Sequence, residues 1–164
     1  MGLDMYLEKM DKIGDYTINE LMEFRSLMHD KEEDLPKDIQ EAIFTEHRYG
    51  MEWRNLSTEI GYWRKANQIH NWFVKNVQNG EDKCNPHLVT KEKLQELLTC
   101  VTKVLALGDK VAEEIFPPSE GFFFGSTDYD EYYYEMMEHT KEVVEQALEN
   151  TDFDKKFVFY QSSW

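Results

Sequence analysis

Basic side chains are scarce in this sequence. Eighteen Lys and Arg face 33 Asp and Glu, a formal net charge of −15 over 164 residues, and a phosphate backbone repels such a surface, which disfavours ordinary nucleic-acid binding. Cysteine is scarcer. Cys84 and Cys100 have no C-x-x-C spacing, so neither a zinc site nor a disulfide framework is indicated; both are expected as free thiols in a reducing compartment, with Cys100 a small apolar residue inside a leucine-rich helix. Long apolar runs are missing too. Stretches such as Phe122 to Phe124 and Phe157 to Tyr160 fall far short of a bilayer span. The start MGLDMYLEKMDK has no uninterrupted apolar segment for a secretory signal, and Tyr6 breaks the myristoylation pattern. The expectation is a cytoplasmic protein with no membrane partner. Motifs with a reaction attached are also lacking. Ser126, Ser162 and Ser163 sit in no G-x-S-x-G elbow, and the acids that follow Gly121 to Gly125 would repel a phosphate from that helix start.

What is there suffices for a core. Forty-one per cent of the residues are apolar and 23 are aromatic, which predicts one domain, 1–164, of ordinary globular kind. The acidic excess is uneven: residues 1–107 carry 19 acids and 14 Lys or Arg, residues 108–164 carry 14 and 4. That leaves two readings, a merely soluble surface or one complementary to a basic partner.

Periodicity predicts an α+β, helix-dominated domain with a small sheet formed by the terminal strands. Leu3, Met5 and Leu7 alternate with Asp4, Tyr6 and Glu8, and KFVFYQSSW at the other end has a similar β-rich composition. Between them, Thr17-Ile-Asn-Glu20 is a capping box opening a helix with Leu21, Phe24 and Met28 inward. Asp34 and Pro36 mark the start of a second, ending near His47, with Ile39, Ala42 and Ile43 inward. The segment from Tyr49 to Trp53 suggests a turn or short strand. A central helix is expected from an N-cap at Ser57 to about Gln78, stopped by Asn79-Gly80. Its core stripe would be Tyr62, Ala66, Ile69, Phe73 and Val77, with Trp63 and His70 at the edge and Arg64, Gln68, Asn71 and Lys75 opposite. Thr90 caps a helix burying Leu94, Leu97, Leu98, Val101 and Leu105 up to Gly108, and a short piece from Lys110 to Ile115 stops at Pro117-Pro118. The last helix would start from an N-cap at Asp128, or at Ser126, with Tyr129, Tyr133, Met136, Met137, Thr140, Val144, Ala147 and Leu148 inward. Its outer face carries Glu131, Glu135, Glu138, Glu142, Glu145 and Glu149.

Four blocks, MGLDMYL, EIGYWRKANQIHNWF, GFFFGSTDYDEYYYE and FYQSSW, together resemble a family of small proteins encoded by bacteriophages, prophages and their hosts. The resemblance implies an origin and not a reaction. Phage accessory proteins of this size bind a host protein, block a defence system or sequester a signalling nucleotide, so an anti-defence or inhibitory role is what the likeness suggests.

Two surfaces are candidates. The first is Asp128, Asp130, Glu131, Tyr132, Tyr134, Glu135, Glu138 and Glu142, where tyrosine framed by acid suits a host or defence protein with a basic surface. Acidity there could mimic nucleic acid, or serve only solubility, with Phe122 to Phe124 burying one or two rings as packing. The second is Trp63, Arg64, Asn67, His70 and Tyr129, extended by Tyr160 and Trp164, which could hold a small molecule or nucleotide, with or without catalysis. On one helix Arg64 would stand about 120 degrees from His70, which argues against a joint site. Glu131, Glu135 and His139 follow one stripe at i, i+4 and i+8, but no second helix completes a carboxylate cage, so no metal or other cofactor is expected. A homo-oligomeric structural protein is a third reading.

Overall fold

The first and last strands of the chain pair with each other. β1 (Asp4–Asp11) and β6 (Lys156–Ser163) run antiparallel in unbroken register from Asp4 opposite Ser163 to Asp11 opposite Lys156, as the composition of the two ends predicts. The computed structural model describes residues 2–28, 34–45, 50–51, 56–121 and 124–164. The expected burial of Phe122 and Phe123, the helix end near His47, and the Tyr49 to Trp53 segment apart from Gly50 and Met51 lie outside the described residues. Within them, α1 (Ile18–Leu27), α2 (Lys37–Ile43), β2 (Phe44–Thr45), β3 (Gly50–Met51), β4 (Ser57–Arg64), α3 (Asn67–Asn76), β5 (His87–Leu88), α4 (Lys91–Leu107), α5 (Asp109–Ile115) and α6 (Glu131–Asn150) fill the interval between the terminal strands. This is an α+β architecture. The main sheet has the order β4-β1-β6-β5, and β2 and β3 pair as a separate minimal ribbon.

Local chemistry accounts for most of the helices. The Thr17 side chain accepts from Glu20 N–H while Glu20 returns the bond to Thr17 N–H, a complete capping box at α1. Thr90 accepts from Lys93 N–H at the head of α4, and Gly108, at φ +77, separates α4 from α5. α2 starts where Asp34 and Pro36 mark it, with Pro36 at the N-cap and no side-chain cap. The start of α6 differs from expectation. The N-cap of α6 is Asp130, whose Oδ1 accepts from Tyr133 N–H at 2.9 Å. Ser126 and Asp128 are unavailable because they close a turn on each other, Ser126 Oγ accepting from Asp128 N–H at 3.0 Å and donating to its carboxylate at 3.2 Å.

The largest departure is at Ser57–Arg64. These residues form strand β4, not the first half of a central helix, and pair with β1 from Met10 opposite Ser57 to Asp4 opposite Arg64. The β-branched Thr58 and Ile60 and the Tyr62-Trp63 pair all suit a strand, and pairing with β1 meets the backbone hydrogen bonds of that edge. Beyond Gly61 the pattern alternates: Gly61 and Trp63 are buried, Tyr62 and Arg64 exposed. Lys65, at φ +56, then turns the chain into α3 with its N–H bound to Leu3 O at 2.7 Å. Asn79 and Gly80, both at positive φ, follow the helix as the terminator the sequence announces.

Both faces of the sheet are covered. Leu3, Met5, Leu7, Trp63, Val158 and Tyr160 meet α3, α4 and α6 in the larger core, while Met10 and Phe159 point the other way to Leu21, Leu35, Ile39, Ile43 and Leu56. Leu7 and Met10, three apart on β1, serve opposite faces by the two-residue alternation of a strand, and the register irregularity between Leu7 and Glu8 falls on β4, where Ile60 is the extra residue. Burial on both sides explains why β6 carries the run Val158, Phe159, Tyr160 with no polar residue between them. Each of Leu3, Met5 and Leu7 is wholly buried, worth about 2 kcal/mol apiece.

Candidate functional site

Three of the four blocks, MGLDMYL, EIGYWRKANQIHNWF and GFFFGSTDYDEYYYE, meet at the turn Arg64-Lys65-Ala66 between β4 and α3, and FYQSSW reaches them through Ser163 opposite Asp4 and Trp164 beside Phe124. Asn67, 1% exposed, has its amide fully used: Nδ2–H donates to Phe124 O at 3.2 Å and Ser126 O at 2.8 Å, and Oδ1 accepts from Ser119 N–H at 2.9 Å. Asn71 adds a bond from Nδ2–H to Pro117 O at 3.1 Å. Pro117, Ser119, Phe124 and Ser126 are thereby strapped across the start of α3. Gly125, at φ +100, is where the strap touches the turn, since a Cβ there would lie 2.9 Å from Lys65 O. From α6, Tyr132 O–H donates to Arg64 O at 2.5 Å, His139 Nε2 lies 2.9 Å from Tyr62 O, and the Trp63 indole N–H donates to Thr140 Oγ1 at 2.9 Å.

The small-molecule candidates divide. Asn67, His70, Tyr160 and Trp164 belong to one neighbourhood; Arg64, Trp63 and Tyr129 do not join it. His70 is buried and both ring nitrogens are engaged, Nδ1 at 2.7 Å from Tyr160 Oη and Nε2 at 3.1 Å from Asp82 Oδ2. The tautomer in which Tyr160 donates to Nδ1 and Nε2–H donates to Asp82 satisfies every proton. Phe73 stacks on Tyr160 at 4.0 Å, Phe124 meets His70 edge-on at 5.6 Å and Trp164 at 6.1 Å, and the Trp164 indole N–H donates to Asp82 at 3.3 Å. Burial pushes the Tyr160 phenol well above its ordinary range; the Asp82 charge adds to this and the Ser162 hydroxyl opposes it. A histidine with no free nitrogen, beside a phenol held neutral, ties the C-terminal strand and the Asp82 loop to α3. Asp82 was not among the sequence candidates, because nothing local links it to His70. Arg64 is exposed on the strand edge, Trp63 is buried toward α6, and Tyr129 packs on Tyr133 at 4.9 Å.

The acidic candidates stay on the surface. Asp128, Asp130, Glu131, Glu135, Glu138 and Glu142 are exposed, and Glu145 and Glu149 continue the same face. Along α6, Glu131 to Glu149 extends about 27 Å at ~1.5 Å per residue. Of these glutamates Glu145 has an ion-pair partner among the described residues, Lys141 at 3.8 Å. The tyrosines are less free than the acids. Tyr134 is half-buried and donates to the Asp109 carboxylate; burial first, then Asp109, raise its phenol to about 12. Tyr132 exposes its ring while its hydroxyl holds Arg64 O. Among the described residues no group of three His, Cys, Asp or Glu is placed to hold a metal ion, and His139 turns from the Glu131 and Glu135 stripe to β4. Cys84 and Cys100 are free thiols, Cys84 exposed and Cys100 half-buried with its thiol pushed up by desolvation. Among the described residues no helix is long and apolar enough to cross a membrane.

A groove of about 460 Å³ runs between β4 and the C-terminal half of α6, bordered by Glu59, Ile60 and Gly61 on one side and Val143, Gln146 and Asn150 on the other. β4 is an edge of the sheet. With this geometry in view, comparison with known proteins adds no relative: no protein-family model, curated protein or solved structure matches the chain.

Proposed function

We propose that this is an acidic interaction protein, phage-associated in origin, that binds and inhibits a host or defence macromolecule through the outer face of α6. The observation that carries the reading is the row Glu131, Glu135, Glu138, Glu142, Glu145 and Glu149, exposed along one helix face with a single ion pair among the described residues. Such a row projects a negative field that a basic surface would complement, whether or not it imitates a nucleic acid. The resemblance of the four blocks supports the origin. Against the small-molecule alternative stands the burial of His70, with both its nitrogens spoken for, and the separation of Arg64 from it.

The test is affinity capture from bacterial lysate with the native chain beside a Glu131, Glu135, Glu138, Glu142→Gln variant. All four positions are exposed, so the fold is retained. The expected partner is basic, is lost with the variant, and elutes below about 1 M salt, where the screening length is ~3 Å. A partner that the variant retains at high salt, or a nucleotide-induced thermal shift abolished by His70→Ala with no partner recovered, would sink the reading.

A further inference from the structure

Among the described residues, the edge of β4 is protected over half of its length. At its C-terminal half, α6 side chains occupy the carbonyls that face away from β1: His139 binds Tyr62 O and Tyr132 binds Arg64 O. On the face toward α6, Gly61 lets the helix approach closely, since a Cβ there would lie 2.4 Å from Val143 Cγ1. At the N-terminal half Glu59 and Ile60 line the groove, and β4 has no strand partner on its outer side among the described residues. Natural sheets cover, charge or shorten an exposed edge because it templates the addition of another strand. Here the covered carbonyls are those of Tyr62 and Arg64, and among the described residues no side chain takes that place along Ser57 to Ile60.

The lip of the groove is acidic. On the α6 wheel Glu142 and Glu149 stand about 40 and 60 degrees to the solvent side of Gln146, and Glu59 is exposed on the strand itself. Lys9 is the one cation of the lining, at the far end, where its Nζ reaches Asn150 O at 3.4 Å. A second copy of this chain carries the same formal net charge of −15, and repulsion between the two molecules disfavours it as the occupant.

We propose that the open half of β4 and the α6 wall form a strand-addition site for a basic, extended segment of a protein partner. Ser57 to Ile60 offers about 13 Å of edge at ~3.3 Å per residue, room for roughly four partner residues. Main-chain hydrogen bonds to β4 supply affinity, and alternate side chains of the segment reach Glu59 on one flank and Glu142 and Glu149 on the other. The proposal rests on the reading of the protein as an acidic interaction module and names the form its partner takes.

The probe is a fluorescein-labelled (Lys-Val)4 peptide followed by anisotropy, beside the same peptide N-methylated at alternate residues, which keeps its charge and loses the strand hydrogen bonds, and a (Glu-Val)4 control. The unmodified basic peptide is expected to bind, with affinity falling about tenfold or more on N-methylation, as lost hydrogen bonds require. A similar loss is expected with Gln146→Trp, which fills the groove from an exposed position, and with Glu142→Lys/Glu149→Lys; far-UV circular dichroism confirms that each variant folds. Equal binding of the methylated peptide, with no effect of Gln146→Trp, overturns strand addition and leaves the acidic-surface reading standing. Failure of both basic peptides to bind, or equal binding of the acidic one, overturns both. A dimer by light scattering that Gln146→Trp dissociates overturns the proposal in favour of a second copy.

Discussion

Asn67 shows how one side chain can hold a loop that sequence alone presents as a separate motif. Its amide satisfies three backbone groups of the 119–126 segment while itself being buried, so Asn67→Ala strands several polar groups at once. The expected loss is about 3 kcal/mol in urea denaturation, since each buried unpaired group costs ~1–3 kcal/mol. A loss below about 0.5 kcal/mol would mean that the strap is held by Gly125 and Asn71 instead. A second residue-level consequence concerns Tyr62. Its hydroxyl donates to Asp4 at 2.5 Å, and that bond, more than desolvation, raises the phenol to about 12. The neutral phenol is the form the fold favours, so the contribution to stability is present below pH 10 and is lost as pH rises from 10 through about 12. In an absorbance titration of phenolate formation, Asp4→Asn is expected to move one tyrosine step from about 12 toward 10, the step that Tyr62→Phe removes altogether. A titration indifferent to Asp4→Asn would refute this.

At the scale of elements, the start of α6 distinguishes two acids two residues apart. Asp130→Ala is expected to cost about 1 kcal/mol, the usual worth of an N-cap, while Asp128→Ala, whose partner is Ser126 in the preceding turn, should stay within about 0.5 kcal/mol. Thermal unfolding of the two variants checks this, and equal losses would reject the assignment of the cap. The sequence spoke clearly where the signal was local. The Thr17 and Thr90 caps, the stops at Gly108 and Asn79-Gly80, and the alternation of Leu3, Met5 and Leu7 all act through neighbours in the chain, and each recurs in the fold. It misled at Ser57–Arg64, where Ser57 reads as a cap and a 3.6-residue stripe runs on into Ile69 and Phe73. No glycine or proline marks the break before α3, because the chain turns on Lys65 at φ +56. What decides for a strand is pairing with β1, a contact between residues some fifty positions apart in sequence. The candidate sites divide in the same way: acids on the outside of a strongly periodic helix were legible as exposed, whereas the bonds of His70 to Asp82 and Tyr160 depend on three elements arriving together.

For the molecule as a whole, the sheet joins two cores that share strands rather than residues. Leu7 and Tyr160 face the larger core with Trp63 and Trp72, and Met10 and Phe159, on the same two strands, face the smaller one with Ile39. Backbone hydrogen bonds of β1 and β6 cannot form on one side and not the other, so loss of either core should release both. The acidic surface works against the fold throughout, with a formal charge of −15 repelling itself most at low ionic strength, and it leaves little margin for a half-folded intermediate. Ile39→Ala, in the smaller core, is therefore expected to destabilise by about 2–5 kcal/mol and to shift the tryptophan fluorescence, to which Trp63 and Trp72 of the larger core contribute, and the far-UV circular dichroism together. Leu7→Ala, in the larger core, should shift the same single transition. Were fluorescence to keep its native midpoint in Ile39→Ala while circular dichroism lost amplitude earlier, the two faces would be separate folding units and the shared strands would not couple them.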